Sequence, residues 1–405
     1  MKHSIMILRV PALRATRDPI TGPLATPGLE AAVNMAAASA GMTLETVSGV
    51  TEAEIRDINR DPDVVVGAPV MPLKLIEPRD AGPGFSADPA ATNTTWGVTA
   101  VGADVSQFNG AGVTVAVLDT GIDQDHPAFA GVNLVTRDFT GAGSVEDDNG
   151  HGTHCAGTIF GRPLNNLRFS VAPGITRAVI AKVLGGPSGG GSDVLALAMQ
   201  WAADEGATVI SMSLGIDFPG FVDRVVGQGL QVQPATSLAL EAYRANVMLF
   251  EKLAAFFAAR AAFGQGVTVV AATGNESERT LPTPYTINLS PPAAAPGIIG
   301  IGALGQSPTG LRVAPFSNTG ATLAGPGVAV NSAWLNGGMN TISGTSMATP
   351  HVAGLAALWS QRLAASGQPV NPMFLQARLI ASGTFTGLVT GTTAADVGAG
   401  LGRAP

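Results

Sequence analysis

Along the first 80 residues, apolar runs of strand length alternate with stretches of helical period. SIMILRV (4–10) predicts a strand, LEAAVNMAAASAG (29–41) a helix closed by Gly41, and TLETVSGV (43–50) a second strand. In TEAEIRDINRD, Thr51 precedes Glu54 by three positions, the spacing of a capping box at a helix start. DVVVGAPVMPLKLI (63–76) predicts one closing strand. Residues 1–80 thus form a small α+β open sandwich. Residues 81–95 lack apolar periodicity and are crowded with Gly, Pro, Ala, Asp and Thr, so they read as an exposed linker.

From 96 to 405 the pattern changes to short β-branched runs alternating with helical segments: GVTVAVLDTG, HGTHCAGTIF, RAVIAKVLGG, DVLALAMQWAADEG, ATVISMSLG, a helical region near 237–263, and GVTVVAATGN. That alternation predicts an α/β domain, a mostly parallel sheet with helices on both faces. Active groups in such sheets gather at the carboxyl ends of strands, here the turns LDTG, MSLG and AATGN.

Composition narrows the function. With 22 Lys plus Arg against 29 Asp plus Glu, the net charge of -7 argues against nucleic acid or an anionic membrane as partner. The single cysteine, Cys155, forms no internal disulfide, so packing must hold the fold. No apolar run reaches the roughly 20 residues of a spanning helix, and MKHSIMILRV is too short for a secretory signal. A soluble, cytoplasmic protein is therefore expected, the alternative being a secreted one whose signal has been removed.

Three polar residues stand out. Asp119 ends the strand AVLD, where alone it could be an ordinary turn residue. His151 opens a helix after Gly150; the helix N-terminus disfavours an imidazolium while a partner carboxylate favours one, so the pair can hold a neutral base. His154 follows three residues on, but HGTH lacks the glutamate and spacing of a zinc helix, and no metal site is expected. Ser346 lies before Pro350, which is tolerated only in the opening turn of a helix, so the helix should start near Ser346. Gly344 would let the backbone approach a substrate; by itself Ser346 could equally be a capping serine.

Together, AVLDTGID, NGHGTHCAGT and SGTSMATPHVAG, in that chain order, resemble the catalytic motifs of subtilisin-like serine proteases, the subtilases. The resemblance runs from about residue 96 to 403, ending in DVGAGLGRA. It implies a subtilisin-like fold and peptide-bond hydrolysis, with Ser346 as nucleophile, His151 as general base and then acid, and Asp119 orienting the imidazole. Asn275 in VVAATGNES matches the family's oxyanion asparagine. Ser213, Leu214 and Gly215 resemble the segment that pairs with substrate as an added strand, with Gly189, Gly190 and Gly191 as the opposite edge. Ala272, Thr273 and Gly274 resemble the wall of a roomy pocket for a large apolar residue before the scissile bond; Glu276 at its rim, and Asp147, would admit basic ones. No cofactor is implied for catalysis. The resemblance leaves structural calcium open, but the family's strong calcium site is not expected, because Ala128 stands where an Asp would be needed.

The N-terminal module resembles the propeptide that many subtilases use as chaperone and inhibitor, which implies a self-processing zymogen. Activation cleavage is then expected in 77–92, between Phe85 and Ser86, Phe85 being the one large apolar side chain of the tether. Residues 216–234 should form an extra loop by the cleft, since the connection after Gly215 is longer than usual for the family. Met347 should pack behind the nucleophile and Cys155 act as a buried filler, with His126 and His351 structural and His3 exposed. The rivals are a peptide-binding pseudoprotease, which the intact triad opposes, and a serine esterase, which would want G-x-S-x-G with the serine first.

Overall fold

The computed structural model describes residues 2–10, 41–86, 93–186, 190–264, 266–368 and 370–405. The helix expected over 29–41 lies outside them except for Gly41, and Gly189 lies outside them as well.

In the N-terminal module, β1 (His3–Arg9) is the centre of an antiparallel sheet, flanked by β2 (Thr43–Val50) and β3 (Val64–Pro69). Helix α1 (Glu52–Ile58) starts at the capping box: the Glu54 amide donates to Thr51 Oγ1 at 3.3 Å and the Thr51 amide to Glu54 Oε2 at 2.7 Å. Strand periodicity divides β1 between two cores. Ile5 and Ile7 pack with Ile55 and Ile58 of α1, while Met6 and Leu8, with Val66 and Ala68 of β3, face the rest of the protein. Among the described residues the module is a three-stranded sheet with one short helix. The outward face, at about 1.5–3 kcal/mol per large apolar side chain buried, holds the module in place.

The single strand expected over 63–76 is two. Pro69 and Pro72 have no N–H to continue a ladder. After Pro69 the chain leaves the small sheet, and β4 (Leu73–Leu75) pairs antiparallel with β9 (Leu214–Ile216) of the large domain.

The large domain is built on β5 (Thr114–Asp119), β6 (Asn133–Asp138), β7 (Arg177–Lys182), β8 (Val209–Met212), β10 (Thr268–Ala272), β11 (Ile298–Ser307), β12 (Gly310–Val313) and β13 (Leu323–Pro326). The order is β12-β11-β10-β8-β5-β7-β6, with β13 also against β11; all neighbours are parallel except β12. Alternate residues serve opposite faces. Val115 and Val117 of β5 pack with α2 (His151–Phe160) and α6 (Thr345–Ala365), whereas Ala116 and Leu118 pack with α3 (Ser192–Asp204) and α5 (Val232–Ala259). Met6, Leu8, Val66 and Ala68 join that second core, so the module docks on α3 and α5.

Residues 216–234 are not a loop. Phe218–Gly227 forms α4, with Asp217 as N-cap accepting from the Gly220 amide at 3.1 Å and Pro219 in the first turn. The long helix α5 begins at Val232 and gives way to a 3-10 turn at Arg260–Phe263. Among the described residues, no helix is long and apolar enough to cross a membrane.

Candidate active site

Strands β5, β8 and β10 lie side by side, and their carboxyl ends converge as expected. Asp119 closes β5, buried; its Oδ1 accepts from the Thr120 amide at 2.8 Å and lies 2.7 Å from His151 Nδ1. His151 is the first residue of α2, reached through Gly150 with φ of 98°. A side chain at Gly150 would be strained by that φ and would place its Cβ 2.5 Å from the Trp334 ring. Burial disfavours charge on His151, but the adjacent Asp119 carboxylate outweighs it and raises the imidazole well above its ordinary value. The nearby carboxylate therefore makes the imidazole a stronger proton acceptor than a free one, which suits a base.

Asp147, expected with Glu276 to admit basic side chains, has its carboxylate taken up by its own surroundings. Its carboxylate accepts from the Gly150 amide (2.9 Å), the Thr153 amide (2.9 Å), Thr153 Oγ1 (2.7 Å) and Thr120 Oγ1 (2.8 Å). Burial would raise its pKa; those donors more than offset it and hold the carboxyl below its usual value. It braces the turn that presents His151.

Ser346 is the second residue of α6, preceded by Gly344, where an added Cβ would crowd Asn275 Nδ2 at 3.0 Å. Pro350 sits in the second turn rather than the opening one. Its missing N–H leaves the Ser346 carbonyl without a helical donor. That carbonyl instead accepts from Ser213 Oγ at 3.1 Å and from Cys155 Sγ at 3.5 Å, tying α6 to β8 and α2 behind Ser346. Burial pushes the Cys155 thiol up, so it stays protonated as a filler, and Met347 is fully buried alongside. Asp119, His151 and Cys155 are the one set among the described residues whose donor atoms come close enough to hold a metal, and two of them are the expected acid–base pair.

Asn275 is oriented by a residue the sequence did not flag: its Oδ1 accepts from the Thr345 amide (2.9 Å) and Thr345 Oγ1 (2.8 Å), which turns Nδ2 toward the cleft. The threonine directly before the serine was the available signal. Asn318 was also missed; its Nδ2 donates to Thr273 O at 3.1 Å and to Glu276 Oε2 at 2.7 Å, bracing the pocket wall that continues from buried Ala272 to Gly274.

The cleft is filled by the chain itself. β4 lies between two edges: Leu75 opposite Leu214 and Lys74 opposite Gly215 on one side, the Leu73 amide on Gly190 O at 2.8 Å and Pro72 bridged to Gly191 on the other. Ile76 follows, buried, its Cδ1 3.9 Å from where a Gly215 Cβ would stand. Ser346 Oγ donates to Ile76 O at 3.1 Å, and Asn275 Nδ2 to Glu77 O at 2.9 Å. His151 Nε2 is buried with no partner. Lys74 Nζ reaches Glu276 Oε1 at 2.8 Å. Burial opposes charge on Glu276, but the Lys74 and Asn318 contacts outweigh it and hold the carboxyl below its usual value.

Phe85, the expected cleavage position, is elsewhere: its ring lies under the Arg312 guanidinium at 4.9 Å and the Ser86 amide is bonded to Gln306 O, so both sit on β11 and β12. Of the other histidines, His126 bonds the Ala128 amide and Gly338 O, and buried His154 and His351 bond the Val330 and Met347 carbonyls, all structural. His3, expected exposed, is half-buried at the start of β1. Ala128 is buried and offers no side-chain oxygen.

A model of the subtilase family matches residues 110–400. A cuticle-degrading serine protease of Arthrobotrys oligospora is 36% identical over 293 residues, 70% of this chain and 59% of that protein. Alkaline serine exoprotease A of Vibrio alginolyticus is 31% identical over 361 residues, 85% and 56% respectively. The chain therefore spans somewhat over half the length of those two relatives. Subtilisin Savinase of Lederbergia lenta is 35% identical over 282 residues, 67% of this chain and 86% of that one. The solved structure of sphericase, 30% identical, superposes with a TM-score of 0.58, covering 78% of this chain and all of its own. With the motifs, the parallel sheet and the family match agreeing over the same residues, the chain belongs to the subtilase family.

Proposed function

We propose that the protein is a serine endopeptidase held as a zymogen by its own N-terminal module. The observation that carries this is the path of residues 72–77, laid as an added strand between Gly190–Gly191 and Leu214–Ile216 with Ser346 Oγ against the Ile76 carbonyl. In turnover, Ser346 Oγ attacks the substrate carbonyl carbon and passes its proton to His151 Nε2, while Asp119 offsets the imidazolium. Asn275 Nδ2 and the Ser346 amide take the developing oxyanion, His151 protonates the departing amine, and water repeats the sequence on the acyl-enzyme. No step calls on a cofactor.

The same path favours an apolar side chain before the scissile bond, since Ile76 is the buried one and Glu77 is exposed. Self-cleavage falls between Ile76 and Glu77, at the edge of the 77–92 window and well before Phe85. The next bond, Glu77–Pro78, is a tertiary amide whose ring crowds the leaving nitrogen. Casein digestion by the wild type, and none by Ser346→Ala, is the expected result; equal digestion by both would discard the assignment.

A further inference from the structure

The contacts that hold β4 continue upstream of the cleft. Pro69 O accepts from Asn246 Nδ2 at 2.8 Å, Val70 O from the Arg224 guanidinium at 3.4 Å, and Pro72 O from the Asp217 amide at 2.8 Å. Between them, Met71 exchanges two bonds with Ser192. Asp217, Arg224 and Asn246 all belong to α4, α5 and their N-cap, the stretch that lengthens the connection after Gly215. None of the five bonds involves a substrate side chain. All would serve any extended polypeptide following the same route.

Asn246 points further. It is fully buried within α5, its Nδ2 shared between Ala242 O and Pro69 O, and its Oδ1 is buried without a partner. An unmet buried acceptor is destabilising, so the residue is poorly suited to core packing alone. In a strand, the N–H and C=O of one residue point to the same side. Pro69 presents its carbonyl to Asn246 and has no N–H to offer, whereas another residue in that place would present one beside Oδ1. A cavity of about 210 Å3, bounded by Ser4, Pro69, Val70, Phe221 and Arg224, leaves room for side chains there.

We propose that Asn246, with Arg224 and the Asp217 amide, forms an extended binding site that grips the main chain of polypeptide substrates out to the eighth residue before the scissile bond. This rests on the endopeptidase reading and on cleavage after Ile76. Within it, the Asn246 amide reads both the N–H and the C=O of the eighth residue. The N-terminal module, carrying proline there, makes only half of that contact.

The test uses the active enzyme and three fluorogenic peptides: residues 73–80, residues 68–80, and residues 68–80 with Pro69→Ala. The longer peptide should show a KM lower by about tenfold with kcat unchanged, and the alanine peptide a further drop of roughly threefold, as hydrogen bonds of ordinary net strength would give. Asn246→Leu should abolish the gain of the alanine peptide and shrink the length effect, with a much smaller change on 73–80. Arg224→Ala, on the partly exposed α4, should remove part of the length effect and serves if the buried substitution does not fold. Equal KM for all three peptides, or an Asn246→Leu effect on 73–80 as large as on the others, would overturn the extended site while leaving the protease reading intact. No hydrolysis of any peptide would sink both.

Discussion

The Asp119–His151 half of the site and the Ser346–Asn275 half differ in what completes them. The first is closed within the large domain: Asp119 is 2.7 Å from His151, and Asp147, Thr120 and Thr153 brace the turn between them. The second is closed by the N-terminal module, with Ser346 Oγ on Ile76 O and Asn275 Nδ2 on Glu77 O. His151 Nε2 is left without the serine it would serve. The Asp119–His151 pair is thus assembled in advance, and on the proposed zymogen reading inhibition acts on Ser346 and Asn275. Releasing residues 72–77 should complete the second half without altering the first.

The largest effect should come from breaking either half outright. Ser346→Ala and His151→Ala are each expected to reduce casein hydrolysis by several orders of magnitude and to similar residual rates, because the triad acts as a unit. Retention of more than about 1% by either variant would break the pairing of the halves. Next, Asn275→Ala should lower kcat by about 100- to 1000-fold with KM nearly unchanged, a range measured on a subtilisin rather than derived from these distances. Rate assays on a single peptide substrate check it.

A smaller effect should follow from loosening the strand. Lys74→Glu sets a carboxylate against Glu276 in place of the 2.8 Å ion pair. Both side chains are about one-third exposed, so the loss should be roughly 0.2–1 kcal/mol, or up to about fivefold in the hold on the cleft. Activity should appear earlier after folding with the same final kcat; an unchanged time course would show that the strand does not hold the second half closed.

The last effect concerns acid. Burial holds His351 down to about 4 and His154 to about 3, against 6.5 when unfolded. Between those values the unfolded chain binds more protons, so stability is full above pH 6.5 and is lost as pH falls toward 4. His351→Asn should lose less stability between pH 7 and pH 4.5 than the wild type, as urea midpoints would report. An equal loss would assign the acid sensitivity to other groups.

Much of the large domain was legible because its determinants are local. Strands buried on both faces read as continuous apolar runs, and Asp119, His151, Asn275 and Ser346 each lie in a long motif at a strand end or helix start. Signs for α4 were also present, in Asp217 followed by Pro219, but the length of the connection suggested a loop instead. What escaped depends on distant partners. Leu73–Leu75 is too short to read as a strand apart from β3, and only the edges at Gly190 and Gly215 define it. Phe85 looked like a cleavage residue by its size, yet Arg312, over 200 positions away, supplies its place. Thr345, Asn318 and Asp147 likewise take their roles from groups that only the folded chain brings near.

Whether the N-terminal strand occupies the cleft as an uncut substrate is decided by N-terminal sequencing of purified wild type and Ser346→Ala. The wild type should give fragments 1–76 and 77–405, the second beginning at Glu77, and the variant an intact chain. A new terminus at Ser86, or a wild type that digests casein with residues 1–80 still attached, would contradict that occupancy.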